Sequence, residues 1–192
     1  MVVLCNNRRD SQLVTPTGGL LSGRVIWLMG PTSSGKTTIA EYCVQQWREQ
    51  GWAVIHYDGD EVRAFFGATH GFAEKDRLQV VSTLVKLANK AAAAGVLCVV
   101  SALTAHSDAR EYVRSAIPSL LLGYICCSIG ECARRDPKGL YTMAKKGQVT
   151  TLIGWNEPYE PPENPDIILD TETLNPHQSF VQIDTLVRRS DR

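Results

Sequence analysis

The chain has 192 residues, and 20 lysines and arginines balance 20 aspartates and glutamates, a formal net charge of zero. That length suits one domain with a full-sized core and leaves little room for a second. The balance gives no support to a broad role on nucleic acid or a membrane surface, and no apolar run approaches the ~20 residues that cross a bilayer.

Residues 1 to about 22 are mixed and carry Pro16, Gly18 and Gly19; they read as an N-terminal arm, with the folded domain expected over 23–192. MVVLCNNRRD puts its basic residues after the apolar run and no small-residue cleavage site follows, unlike a secretory signal, so a cytoplasmic protein is expected. VIWLM (25–29) is a short continuous apolar run, as in a strand buried on both faces. GPTSSGKTT (30–38) follows it. Ile39, Ala40, Cys43, Val44 and Trp47 then recur at helical spacing, and Gly51 supplies a stop. WAVIHY (52–57) reads as a second strand and 74–94 as a long helix closed by Gly95. VLCVVSA (96–102), LLLGYICC (120–127) and DIILD (166–170) read as three more strands, and Phe180, Ile183, Leu186 and Val187 mark a last amphipathic helix. PYEPPENP reads as an ordered turn.

Strands separated by helices imply right-handed crossovers and an α/β fold, with a parallel five-stranded sheet covered by helices on both faces. Ligands of such sheets sit outside the carboxyl ends of the strands. Cys43, Cys98, Cys126 and Cys127 lie in apolar runs and are expected as buried thiols of a reducing compartment. Cys126-Cys127 with Cys132 has no second pair or nearby histidine, so no zinc site is expected.

Gly30-x-x-x-x-Gly35-Lys36-Thr37 matches the phosphate-binding P-loop, with the required strand before and helix after. Glycines let backbone N–H groups turn inward around phosphates, and the helix N-terminus adds partial positive charge. Gly30, Pro31, Thr32, Ser33, Ser34, Gly35, Lys36, Thr37 and Thr38 are the candidate ATP contacts; Lys36 would reach the terminal phosphates and Thr37 would hold Mg²⁺.

HYDGDEVR (56–63) brings Asp58, Asp60 and Arg63 to a strand's carboxyl end. A carboxylate there can hold Mg²⁺ or take the proton of an acceptor hydroxyl. Asp60 also has the chemistry of a helix N-cap for EVRAFF, which leaves Asp58 as the base candidate. GFAEKDR (71–77) offers Phe72 as a stacking face and Arg77 as a cation. The basic segment 131–147, interrupted by Pro137 and Gly139, reads equally as a mobile lid over phosphates, about 134–147, or as a solvated surface helix.

WLMGPTSSGKTTIA, DGDEVR, GFAEKDR, RRDPKGLY and PYEPPENPDIILD, in this order and spacing, resemble the adenylyl-sulfate kinase family, from about Val25 to about Asp170. DPKGLY and the proline-rich block are far more specific than the P-loop. The resemblance implies a P-loop kinase that moves the γ-phosphate of ATP, with Mg²⁺, to the 3′-hydroxyl of adenosine 5′-phosphosulfate. It implies Lys36 and Asp58 as catalytic residues, Thr37 and Asp58 at the metal, and Arg134 as a further ATP contact. It implies Asp60, Arg63, Phe72, Arg77, Leu103, Lys138, Gly139, Leu140 and Leu152 around the acceptor. A small nucleotide-like acceptor is the partner implied, with a homodimer as an analogy.

The sequence departs from that family at the acceptor. An asparagine contact is Val80, two arginines are Ser82 and Thr83, and the phenylalanine closing the adenine sandwich is Leu152, beside which Trp155 is a candidate replacement ring. The ISPH turn reads Leu103-Thr104-Ala105-His106. The ATP-side features are intact, so altered specificity, as in the related cytidine diphosphoramidate kinases, stands beside the family reaction. A regulatory nucleotide-binding module without turnover is the alternative from another class, opposed by the presence of Lys36, Thr37 and Asp58.

Overall fold

The computed structural model describes residues 23–67 and 74–189. The arm expected over 1–22, and Phe72, lie outside the described residues. Five strands, β1 (Val25–Met29), β2 (Val54–Asp58), β3 (Leu97–Ala102), β4 (Leu120–Cys126) and β5 (Ile167–Asp170), form one parallel sheet in the order β2-β3-β1-β4-β5. Among the described residues seven helices connect or follow them: α1 (Lys36–Glu49), α2 (Gly59–Phe65), α3 (Glu74–Ala93), α4 (Ser107–Ala116), α5 (Ile129–Arg135), α6 (Leu140–Lys145) and α7 (Pro176–Arg189). The expected three-layer α/β architecture is present.

β1 is apolar at every position because it lies at the sheet centre with helices on both faces. Alternate residues feed two cores. Ile26, Leu28, Val54, Leu97 and Val99 pack under α1 and α7, while Val25, Trp27, Met29, Cys98 and Val100 pack under α3 and α4. A third, smaller cluster of Cys127, Cys132, Tyr141, Ala144 and Leu152 forms beneath α5 and α6. Cys43, Cys98, Cys127 and Cys132 are buried free thiols and Cys126 is half-buried. Among the described residues no helix is long and apolar enough to cross a membrane.

Two expectations need correction. The second strand begins at Val54, not Trp52, because Trp52 stacks on Trp47 with ring centres 6.1 Å apart and belongs to the turn after α1. Asp58, not Asp60, caps α2: its Oδ1 accepts from the Asp60 amide at 2.8 Å, while Asp60 sits in the first turn. Residues 134–147, the expected lid, take in the end of α5 and all of α6, with Asp136 (φ 27°) between the two helices, whose carboxylate accepts from the Tyr141 and Thr142 amides.

α4 was not foreseen. It carries Arg110 and Arg114, whose guanidinium groups donate to the carbonyls of Glu160, Pro161, Glu163 and Asn164. Tyr159 stacks on Tyr124 at 6.1 Å and lies under Arg110 at 5.3 Å. The proline-rich turn is thus ordered by arginines from a helix nearly fifty residues away.

Candidate active site

β1 runs straight into the phosphate loop. A Cβ on Gly30 would stand 2.4 Å from the Ile125 carbonyl, so the loop can leave the sheet beside β4 only with glycine there. Gly35 is left-handed (φ 97°) and forms the N-cap of α1, the geometry that turns amides toward an anion. The Ser33 and Ser34 hydroxyls are buried without a hydrogen-bond partner among the described residues. Buried hydroxyls are normally satisfied, so the loop fits a ligand rich in acceptor oxygens, as phosphate is.

Lys36 Nζ donates to the Pro31 carbonyl at 2.7 Å. Burial pushes its pKa down from 10.5 to about 8, and the charges of Asp60, Cys132 and Asp58 only partly offset that. Thr37 Oγ1 donates to Asp58 Oδ2 at 2.7 Å, and Ser101 Oγ donates to the same oxygen at 2.6 Å. Asp58 is 7% exposed. Burial alone would raise its carboxyl, but the hydrogen bonds from Ser101, Thr37 and the Asp60 amide, with the charge of Lys138, hold it below its ordinary value. β2 and β3 set this pair because Asp58 and Ser101 face each other in parallel register. On the same edge His56 Nε2 lies 2.9 Å from Ser101 Oγ. Burial lowers the His56 pKa, against the charges of Asp58, Glu41 and Glu61.

A cleft of about 510 Å³ opens at the carboxyl ends of the strands. Its lining includes Thr32, Ser33, Gly35, Lys36, Thr37 and Thr38 of the phosphate loop, Asp58 and Asp60 where β2 meets α2, Arg63, Arg77 and Val80 of α2 and α3, and Leu103, Lys138, Leu140 and Leu152. Gly30, Pro31 and Ser34 shape the loop without lining the cleft. Arg77 Nη2 donates to the Thr151 carbonyl at 2.9 Å. Burial lowers the pKa of both Arg63 and Arg77, and the charge of Arg63 lowers Arg77 further, so two guanidinium groups lie near each other on the cleft. Lys138 forms an ion pair with Asp60 that ties the segment before α6 to α2.

Several assignments from the sequence fall elsewhere. Arg134 is not on the cleft. Its side chain is 75% exposed and is paired with Glu131. Its neighbour Arg135 lines the cleft instead and donates to Thr171 Oγ1 and O at 2.9 and 2.8 Å, and the Thr171 hydroxyl in turn donates to the Ser34 carbonyl. One helical step separates an outward arginine from one that braces the phosphate loop. Gly139 does not line the cleft; it is the left-handed N-cap of α6 (φ 68°). Trp155 does not replace a ring at Leu152. It lies edge-on to Tyr141 at 6.0 Å with Lys145 over its face, and it is absent from the cleft wall. Leu152 is 6% exposed, and Val80 is buried on the wall. Ser82 and Thr83 turn their hydroxyls to the Gln79 carbonyl away from the cleft. Ser101, Glu74 and Asp108 also line it without a local signal in the sequence, whereas Arg135 belongs to the segment that its basic composition marks.

The sequence pattern described as Adenylylsulphate kinase matches residues 22–170. A probable adenylyl-sulfate kinase of Aeropyrum pernix is 37% identical over 171 residues, spanning 86% of this chain and 93% of that one. The adenylyl-sulfate kinase of Staphylococcus epidermidis is 35% identical over 161 residues, spanning 83% and 81%. In three dimensions, the Mycobacterium tuberculosis APS kinase CysC in complex with AMPPNP and APS superposes with a TM-score of 0.82 at 29% identity, covering 87% of this chain and 98% of that one. The match takes in the phosphate loop, the rest of the cleft wall up to Ile153 and the proline-rich turn, and on this ground the chain belongs to the adenylylsulphate kinase family, as an ATP-dependent kinase acting on a hydroxyl.

Proposed function

We propose that the chain transfers the γ-phosphate of ATP to the 3′-hydroxyl of adenosine 5′-phosphosulfate. The observation that carries this reading is one cleft lined both by the phosphate loop and by the Arg63/Arg77 pair. Two anionic groups with a transferable phosphate between them suit that layout. ATP as the donor fits a cytoplasmic reaction.

The loop amides and Lys36 hold the triphosphate, and Lys36 carries positive charge to the transferred group. Oxygen donors suit a hard cation, and Thr37 with Asp58 supplies them. Magnesium held by these two residues would supply positive charge against the negative charge that develops on the transferred phosphate. Asp58 accepts three hydrogen bonds, two of them on Oδ2, which leaves it one Oδ1 lone pair. With its depressed pKa, it is better suited to orienting Thr37 and the metal than to removing a proton. A loose transition state places little demand on a base. Arg63 and Arg77 grip the acceptor's anionic part, and Leu103 and Leu152 flank its base. The α5–α6 segment, tied to α2 through Lys138 and Asp60, serves as the lid that excludes water.

A coupled ADP-release assay with Mg-ATP tests the reading against adenylyl sulfate, cytidine and uridine diphosphate analogues, and a no-acceptor control. Turnover is expected with adenylyl sulfate. Turnover confined to a cytidine nucleotide would show that Val80 and Leu152 mark a changed acceptor, and no turnover with any nucleotide would favour a regulatory module.

A further inference from the structure

We propose that His56 is a positioning residue for the phosphate end of the site, acting through Ser101 on Asp58 and Thr37. The inference rests on reading Thr37 and Asp58 as the metal-binding pair. His56 lies on β2, an edge strand, two residues before Asp58 and on the same face. Its neighbours on that face, Val54, Leu97 and Val99, are apolar and buried, so packing alone favours another apolar side chain there.

Counting hydrogens fixes the direction of the chain. Ser101 has one hydroxyl hydrogen and commits it to Asp58 Oδ2 at 2.6 Å. The carboxylate has none to return. The 2.9 Å contact between His56 Nε2 and Ser101 Oγ must therefore be an N–H donated by the histidine. His56 thus donates to Ser101, Ser101 to Asp58, and Thr37 to the same carboxylate oxygen at 2.7 Å. Each bond polarises the next, and Ser101 and Asp58 at the centre of the chain are buried. With the two donors on Oδ2 and the Asp60 amide on Oδ1, the carboxylate cannot rotate without breaking a bond. Its grip on the Thr37 hydrogen turns the Thr37 lone pairs away from Asp58, toward the phosphate side. Without the His56 donor, the Ser101 hydroxyl regains rotational freedom and this alignment loosens.

The test compares His56→Phe, His56→Gln, Ser101→Ala and the double variant His56→Phe/Ser101→Ala with the native chain. Mn²⁺ binding to the ADP complex is followed by electron paramagnetic resonance, alongside kcat and acceptor KM. His56→Phe is expected to weaken Mn²⁺ binding about 3- to 10-fold, the range for one neutral hydrogen bond, and to lower kcat with acceptor KM unchanged. Ser101→Ala should do the same, the double variant should be no worse than either single one, and His56→Gln, which restores a donor, should recover most of the loss. Native Mn²⁺ affinity in His56→Phe would overturn the proposal, as would fully additive losses or a glutamine variant as impaired as phenylalanine. Should the variants fold poorly, ¹⁵N resonances of the native ring decide: a hydrogen on Nε2 is required, and a bare Nε2 refutes the relay. Failure of the native chain to bind Mn²⁺-ADP would remove the metal reading and the relay together, whereas native binding with an unaffected His56→Phe removes the relay alone.

Discussion

Lys36 is held in its folded position at a cost, and replacing it with methionine should stabilise the nucleotide-free protein. The depression of its pKa from 10.5 to about 8 means that the charged form is about 3 kcal/mol less favourable in the folded chain than in the unfolded one at pH 7. Methionine keeps the length of the side chain and removes the charge. It also gives up the bond to the Pro31 carbonyl, about 1 kcal/mol, so the net gain is about 2 kcal/mol. The sign with pH follows from linkage. Between about 8 and 10.5 the unfolded lysine binds more protons than the folded one, so the native chain gains stability as pH rises through that window. The advantage of Lys36→Met should be full below pH 8 and shrink steadily toward pH 10. Urea unfolding of both chains, followed by tryptophan fluorescence without nucleotide, measures it. Adding Mg-ATP should reverse the ranking, because triphosphate repays the lysine its lost solvation and the methionine variant gains little. A methionine variant less stable than the native chain at pH 7, or a gap that does not change between pH 8 and 10, would refute the reasoning.

Asp58→Asn should lower kcat about 100- to 1,000-fold while changing ATP affinity far less, because it disturbs the group that orients Thr37 rather than the phosphate cradle; steady-state kinetics would show a near-native kcat if that role is wrong. Leu152→Phe should lower the KM for adenylyl sulfate, since base stacking is worth ~1–3 kcal/mol, and should also lower Tm by crowding Cys127, Cys132 and Tyr141. A raised KM would place the acceptor base elsewhere. Arg110→Met should cost about 3 kcal/mol or more by stranding the carbonyls of Thr104, Glu160 and Pro161, and should expose residues 158–165 to protease; a loss below about 1 kcal/mol in urea unfolding would show that water replaces the guanidinium.

The apolar strands and the phosphate loop were legible because each is a local signal: a run of buried side chains, or a spacing fixed by the shape of phosphate. α4 was not, since its fully buried apolar residues are just Ala109 and Val113, while the buried position between them is Arg110. An arginine reads as surface until its carbonyl partners, fifty residues on, are known. The exchange of Arg134 for Arg135 has a related cause. Composition marks the segment as basic, but the phase of a seven-residue helix decides which neighbour faces the cleft. Asp58 and Asp60 were both visible as carboxylates, whereas which one caps α2 depends on where β2 ends. Ser101 and His56 acquire meaning only through the β2–β3 register, which no local pattern carries.

The position of β1 at the sheet centre also has a consequence for how the protein comes into being. β1 has no partner until β3 and β4 exist, some seventy and ninety-five residues later. Gly30 then rests against the Ile125 carbonyl, in β4. During synthesis the phosphate loop emerges early but cannot take its shape until the ribosome has released β4. Such long-range pairing folds slowly. Nucleotide can therefore support only a chain that already extends past β4, and nascent chains halted before residue 126 lack the strand that shapes the loop.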